Sequence, residues 1–118
     1  MKISRIQSLL EAKLHCCEDN LEKEVNSVFG CDLMSDVLAY VKDQAVLLTG
    51  LVNPQVIRTA VMMDMVCIVF VRSKTPTAEM VKLAEDSGLV VMSTNMTMYT
   101  ACGKLYSNGL ATEDIIQK

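Results

Sequence analysis

The chain has 118 residues and a formal net charge of −3, and 51% of its residues are hydrophobic against 21% that are charged. This composition excludes a disordered chain because it supplies enough apolar side chains for a core, and the length fits one domain over 1–118. No apolar run reaches the roughly 18 residues of a membrane-spanning helix. The acidic balance, the scattered basic residues and an aromatic content of 4% argue against a nucleic-acid partner.

The N-terminal segment and the cysteines favour a soluble cytoplasmic protein. The segment MKISRIQSLLEAKLH mixes acidic and basic residues and lacks the long apolar block of a signal peptide. The cysteines are odd in number and irregularly spaced, which is not the pattern of a disulfide framework. They are Cys16, Cys17, Cys31, Cys67 and Cys102. We therefore expect a reducing compartment.

The first forty residues predict two helices and two strands. Apolar residues at helical spacing predict a helix from Ile3 to Ala12, with Ser4 as its cap. The run KLHCC predicts a strand, EDNLEKE a turn, and VNSVFGCD a second strand with a turn after it. A second helix is predicted over DLMSDVLAYVK, with Asp32 as its N-cap.

From Ala45 onward, strands and helices alternate. The apolar runs AVLLTG, VCIVFV and LVVMST predict three strands that are buried on both faces. Asn53 followed by Pro54 predicts the start of the helix after the first of these strands. Short connections between buried strands predict a three-layer α/β domain, in which a mainly parallel sheet is flanked by helices.

Two more helices complete the alternation. The segment TPTAEMVKLAEDSG is predicted to begin with Thr75 as its cap and to end at Gly88. The segment NMTMYTACGKLYSNG is predicted to begin with Thr94 or Asn95 as its cap and to end at Gly109. The final LATEDIIQK is predicted to be a short tail.

Three loops leave the carboxyl ends of the buried strands, and these ends meet at one edge of a parallel sheet. Ligands of open α/β sheets bind at that edge, and helix N-termini favour anions. Polar and cationic side chains of these loops are the candidate ligand-binding residues: Thr49, Asn53, Arg72, Ser73, Lys74, Ser93, Thr94 and Thr97. The alternative is that the polar residues cap helices and the two cations are solvated, since the sequence has no glycine-rich phosphate loop.

The histidine and the cysteines do not form a metal motif. His15, Cys16 and Cys17 are adjacent, and adjacent strand residues point to opposite faces, so we expect no metal site and no cofactor. A thiol-dependent enzyme is an alternative that requires a cysteine with a lowered pKa beside a base. We assign no catalytic residue.

The residues from LLTGLVNPQVIRTA to LAEDSGLVVMSTNMTMYTAC resemble the DRTGG domain family. A helix, a glycine, an apolar strand that ends in Ser-Thr and a following helix carry the resemblance, which is clearest over 45–110. Where the family has Gly-Asp-Arg, this chain has Val52-Asn53-Pro54. Where the family has Thr-Gly-Gly, it has Val71-Arg72-Ser73.

The resemblance implies a fold similar to the N-terminal domain of HPr kinase/phosphorylase, a tendency to form dimers and a regulatory role. We therefore expect a non-catalytic regulatory module that forms a homodimer and either senses a small anionic or nucleotide-like ligand or docks on a partner protein. A ligand-free structural interaction subunit is a further alternative. Met63, Met96 and Met98 are candidates for an adaptable apolar dimer surface.

Overall fold

The computed structural model describes residues 1–41 and 44–110. Within them the elements are α1 (Ile3–Leu10), β1 (Lys13–Cys16), a 3₁₀ turn (Glu18–Asn20), β2 (Ser27–Gly30), α2 (Met34–Tyr40), β3 (Ala45–Thr49), α3 (Pro54–Met62), β4 (Cys67–Phe70), α4 (Ala78–Ser87), β5 (Val90–Ser93) and α5 (Met98–Ser107). Every predicted helix and strand occurs in the predicted order. The predicted end of the second helix at Lys42 and the predicted tail from residue 111 lie outside the described residues.

The strands of the described residues form one sheet in the order β1-β5-β4-β3-β2. The four strands from β2 to β5 are parallel, with Thr49 opposite Phe70 and Phe70 opposite Ser93, whereas β1 is antiparallel to β5. The α/β class and the mainly parallel sheet are therefore confirmed. Because β2 also runs parallel, the loop after it lies at the same edge as the three loops that the sequence singled out.

Each face of the sheet is covered by its own layer of helices. The core under α1 and α5 includes Ile3, Ile6, Leu10, Val46, Leu48, Val69, Val90, Met92, Ala101 and Leu105. The core under α2, α3 and α4 includes Val37, Leu47, Val56, Ile57, Ala60, Ile68, Phe70, Met80, Ala84 and Val91. Consecutive strand residues enter opposite cores, which is why the strands are apolar on both faces.

Two predicted helix caps at the strand-end edge are wrong, because a later threonine does the capping. The N-cap of α4 is Thr77 and not Thr75, and its Oγ1 accepts a hydrogen bond from the Met80 amide. The N-cap of α5 is Thr97, whereas Thr94 and Asn95, the predicted caps, lie in the loop before it. The threonines at 77 and 97 cap because they immediately precede the first helical residue.

The caps predicted for the first two helices are also wrong. Ser4 lies inside α1, whose N-cap position is Lys2. Asp32 precedes Leu33, the N-cap position of α2, and its carboxylate bonds to other loops. By contrast, Gly88 ends α4 with a left-handed φ of 71°, as predicted.

No helix in 1–41 and 44–110 has both the length and the apolar composition that crossing a lipid bilayer requires. All five cysteines lie in this part of the chain, and none is in a disulfide.

Candidate functional site

Asp32 joins three loops at the carboxyl edge of the parallel strands. Its Oδ1 accepts hydrogen bonds from Thr49 Oγ1 at 2.9 Å and from the Gly50 amide at 2.8 Å, both at the end of β3. Its Oδ2 lies 3.5 Å from Nη2 of Arg72, in the loop after β4. This role of Asp32 differs from the helix cap that its place in the sequence predicts. The position of Asp32, two residues after the end of the parallel strand β2, is the sequence feature that could have indicated this role.

Gly50 provides the space that the Arg72 guanidinium occupies. A Cβ added at position 50 would overlap that guanidinium group, so this close approach requires glycine. The Arg72 side chain is nevertheless 50% exposed. It is therefore both placed by the protein and accessible to a ligand from solvent.

The loop after β4 has an unusual backbone. Arg72 and Ser73 both have left-handed φ values, 57° and 63°, which are uncommon for residues other than glycine. Hydrogen bonds to the segment after β5 hold them, since the Ser73 amide donates to the Thr94 carbonyl at 2.9 Å and the Arg72 amide to the Met96 carbonyl at 2.8 Å. Ser73 Oγ also donates to Asn95 Oδ1 at 2.9 Å. The loop is thus fixed against the end of β5.

The hydroxyl groups at the end of β5 are buried and already bonded. Thr94 Oγ1 donates to the Leu10 carbonyl at 2.6 Å and accepts from the Met96 amide at 3.2 Å. Ser93 Oγ lies 2.8 Å from Nε2 of His15 in β1. A ligand that bonds to Ser93 or Thr94 would have to replace these partners.

Of the remaining candidate residues, Asn53 and Thr97 cap helices, and Lys74 is exposed. Asn53 Oδ1 accepts from the Val56 amide at 3.3 Å, which confirms the predicted cap of α3. Thr97 Oγ1 accepts from the Thr100 amide at 3.3 Å. The exposed Lys74 side chain has no hydrogen bond or ion pair with any other residue that the structure describes. The groups most available to a ligand therefore lie in the loop between β4 and α4.

A shallow cavity of about 270 Å³ lies beside this loop. Its lining consists of Leu10, Glu11, Thr94, Asn95 and Met96. Asn95 connects it to the β4–α4 loop through the hydrogen bond from Ser73. The Glu11 carboxylate makes this cavity less suited to an anion than the surface around the arginine.

The protonation of His15 is expected to make stability depend on pH. Burial, and secondarily the charge of Lys13, lower the pKa of His15 below its ordinary 6.5. Because the pKa is lower in the folded protein than in the unfolded chain, the contribution to stability is present above pH 6.5 and is lost as pH falls through the folded-state pKa. We expect the free energy of unfolding to decrease as the pH falls below 6.5, and less so in His15→Gln. Urea denaturation at several pH values measures both slopes, and equal slopes would contradict this role of His15.

The buried cysteines do not have the properties of nucleophiles. Burial raises the pKa of Cys16 to about 12, and it also raises the pKa of the Cys67 and Cys102 thiols. The hydrogen-bond partner of His15 is Ser93, and no thiol pairs with its imidazole. In the part of the chain that the structure describes, no three His, Cys, Asp or Glu side chains are grouped as a metal site requires. The raised pKa values keep the thiols of Cys16, Cys67 and Cys102 protonated at neutral pH.

The structure is a small α/β domain whose four parallel strands end at one shared edge. Residues 5–107 match the DRTGG domain, so the chain belongs to the DRTGG domain family. The match begins 40 residues before Ala45, where the clearest resemblance in sequence begins. No curated protein matches this sequence.

A solved structure shows the same fold. It is the crystal structure of the CBS and DRTGG domains of the regulatory region of Clostridium perfringens pyrophosphatase, complexed with its activator, diadenosine tetraphosphate. The TM-score is 0.71 at 15% sequence identity, and the match covers 88% of this chain. It covers 45% of that chain, so the present chain spans less than half of its length.

The left-handed loop carries two side chains on a backbone that glycine adopts more readily. Arg72 and Ser73 have positive φ values, which glycine adopts without steric cost. The side chains at these two positions carry a strain of order 1–3 kcal/mol per residue. An arginine and a hydroxyl group therefore stand at the strand-end edge on a strained backbone.

Proposed function

We propose that this chain is a non-catalytic regulatory domain of the cytoplasm, which pairs with a second copy and binds a small anionic or nucleotide-like ligand at the strand-end edge. The observation that carries the ligand site is the half-exposed Arg72 guanidinium, held over Gly50 by Asp32. Membership of the DRTGG family supports the regulatory role. The nucleotide activator bound to the regulatory region of the similar pyrophosphatase supports the class of ligand. The unpaired cysteines are consistent with a reducing cytoplasm.

Side chains supply the positive charge of the proposed site. Arg72 and Lys74 are both exposed, and guanidinium is a planar donor that pairs with two phosphate oxygens at once. The amides of Arg72, Ser73 and Lys74 donate to carbonyl groups of the protein, so they are not offered to an anion. We therefore assign direct contact to these three side chains. The other candidate residues hold the loops of the edge in place through hydrogen bonds within the protein. They are Thr49, Asn53, Ser93, Thr94 and Thr97.

The ion pair between Arg72 and Asp32 provides a way for ligand binding to change the loops of the edge. An anion that binds the guanidinium competes with the Asp32 carboxylate, which lies 3.5 Å away. Asp32 also accepts hydrogen bonds from Thr49 and Gly50. A shift of the arginine therefore changes the contacts of the carboxylate that joins the loops after β2, β3 and β4. A partner protein that contacts these loops would then bind the two states with different affinity.

The variant Arg72→Ala is expected to bind the ligand at least tenfold more weakly. Hydrogen bonds to charged groups contribute about 1.5–3 kcal/mol, which is at least a factor of ten in affinity. A thermal-shift screen of adenine nucleotides, including diadenosine tetraphosphate, and of phosphorylated metabolites identifies the ligand. At about a hundred times its dissociation constant a ligand stabilises the folded protein by about 2.7 kcal/mol. Titration calorimetry then compares wild type and variant.

The matched control is Lys82→Ala, which removes another exposed cation. Lys82 lies on α4 and pairs with Asp86 at 3.1 Å, away from the β4–α4 loop. We expect it to bind the ligand as the wild type does. Equal affinity of Arg72→Ala and Lys82→Ala would overturn the assigned site. If no compound stabilises the wild type, the sensing role fails and the ligand-free interaction subunit is the better description.

A further inference from the structure

The cavity at the end of β5 presents hydrogen-bond acceptors to solvent. It has a volume of about 270 Å³, and its exposed polar side chains are Glu11 and Asn95. The Glu11 carboxylate forms no ion pair with any residue in 1–41 and 44–110. The C-terminal end of α1, whose last residue is Leu10, adds the partial negative charge of its free carbonyl groups. The cavity therefore suits a part of a ligand that donates hydrogen bonds.

Glu11 carries its side chain on a backbone that favours glycine. It follows the last residue of α1 with φ 51° and ψ 47°, in the left-handed region where helix ends most often have glycine or asparagine. A glutamate is less favourable there than glycine, because its Cβ approaches the backbone. Since the carboxylate has no ionic partner among the described residues, the stability of the fold does not account for it. A ligand contact does.

The cavity and the Arg72 guanidinium lie along the same edge of the sheet. The cavity is at the end of β5, and the guanidinium lies over Gly50, directly after β3. Because neighbouring strands are about 4.8 Å apart and β4 lies between these two, the ends of β5 and β3 are roughly 10 Å apart. Asn95 links the two places, since its Oδ1 accepts a hydrogen bond from Ser73 in the loop that carries the arginine. A nucleotide is long enough to reach from one to the other.

We propose that the cavity binds the base of a guanine nucleotide whose phosphates contact Arg72, a subsite that rests on the proposed function and names its ligand. Guanine carries an N1–H and a 2-amino group side by side, and the two oxygens of a carboxylate accept from both. Adenine offers one amino group beside a ring nitrogen that is itself an acceptor, and a carboxylate oxygen repels that nitrogen. The Glu11 carboxylate therefore selects guanine.

The other residues of the cavity fit the rest of a nucleoside. The Met96 thioether is partly exposed, and sulfur makes favourable contacts with aromatic rings. The side-chain amide nitrogen of Asn95 donates to no other described residue, so it is available to a ribose hydroxyl group. Pockets that enclose a whole ligand are usually about 300–1,000 Å³, so this cavity holds only part of one. The phosphates then extend along the edge toward Arg72 and Lys74.

Titration calorimetry with GDP, ADP and inosine diphosphate tests the base contact. We expect GDP to bind the wild type at least tenfold more tightly than ADP. Inosine diphosphate keeps the N1–H but lacks the 2-amino group, so its affinity should be intermediate. Glu11→Gln replaces one acceptor oxygen by an amino group, and it should bind GDP at least tenfold more weakly without weaker binding of ADP. The matched control is Glu85→Gln, an exposed glutamate in the last turn of α4, which should keep the preference for GDP.

Glu11→Gly separates a ligand contact from a structural role. Glycine adopts the left-handed backbone without steric cost, so this variant should melt at no lower a temperature than the wild type. Its affinity for GDP should nevertheless fall at least tenfold. A lower melting temperature with unchanged affinity for GDP would mean that the side chain serves the fold, and would overturn the subsite.

The subsite and the proposed ligand site at Arg72 fail in different ways. Equal affinities of the wild type for GDP and ADP, both weakened by Arg72→Ala, would overturn the guanine subsite and keep the site at the arginine. A preference for GDP that Glu11→Gln retains would overturn the subsite as well. If no nucleotide binds the wild type, the subsite fails, and the phosphorylated metabolites of the thermal-shift screen alone decide the proposed function.

Discussion

Replacement of Thr94 by valine is expected to lower the free energy of unfolding by about 2–4 kcal/mol, the largest effect of a single change at the strand-end edge. Thr94 is 3% exposed. Valine removes the hydroxyl group that donates to the Leu10 carbonyl and accepts from the Met96 amide. Two polar groups then lose their partner, and each costs about 1–3 kcal/mol where it is shielded from water.

Thr75→Val is the matched control for this change. Thr75 lies in the loop before α4, is exposed, and does not cap the helix. Its replacement is expected to change the free energy of unfolding by less than about 0.5 kcal/mol. Urea denaturation of both variants measures the difference. Similar free energies of unfolding for the two variants would show that the Thr94 hydroxyl is not needed for folding. That result would favour a direct role of this hydroxyl in ligand binding.

Replacement of Asp32 by alanine is expected to lower the free energy of unfolding by about 1–3 kcal/mol. The reason is that Thr49 Oγ1, which is buried, and the Gly50 amide lose their acceptor. The ion pair with Arg72 contributes less, because both side chains are about half exposed and such pairs are worth about 1 kcal/mol or less. Asp86→Ala, which breaks the exposed pair with Lys82, is the control and should cost less than about 0.5 kcal/mol.

Asparagine at position 32 separates the two roles of the aspartate. Its carbonyl oxygen still accepts from Thr49 and Gly50, so most of the stability should be kept, while Arg72 loses its ionic partner. If an anion competes with Asp32 for the guanidinium, Asp32→Asn should bind the anion several-fold more tightly. Weaker binding by this variant would mean that Asp32 orients the guanidinium for the ligand and does not compete with it.

The elements of this fold were predictable because local chemistry sets them. Apolar runs of strand length with short connections predicted the buried parallel strands, and the structure has them. Asn53 followed by Pro54 started α3 as predicted, because the cap and the first helical residue satisfy the backbone there without help from the rest of the chain. Gly88 ended α4 for a similar local reason.

The choice between equivalent polar residues was not predictable from the sequence. Thr75 and Thr77 are both able to cap a helix, and so are Thr94 and Thr97. Which member of each pair does so depends on where the preceding loop ends, and that depends on packing. The end of β5 requires Thr94 to reach the Leu10 carbonyl, 84 residues away in sequence. It is therefore not available as the cap of α5.

The candidate site shows the same division between local and distant interactions. The sequence correctly predicted that the three loops after the buried strands lie at one edge, because the carboxyl ends of parallel strands point the same way. Only the folded chain brings Asp32 onto the end of β3 and under Arg72, and pairs Ser93 with His15 across the antiparallel strand β1. The physical reason is that strand order is set by the burial of whole apolar faces. Periodicity in the sequence reveals those faces, but it does not reveal which strands become neighbours.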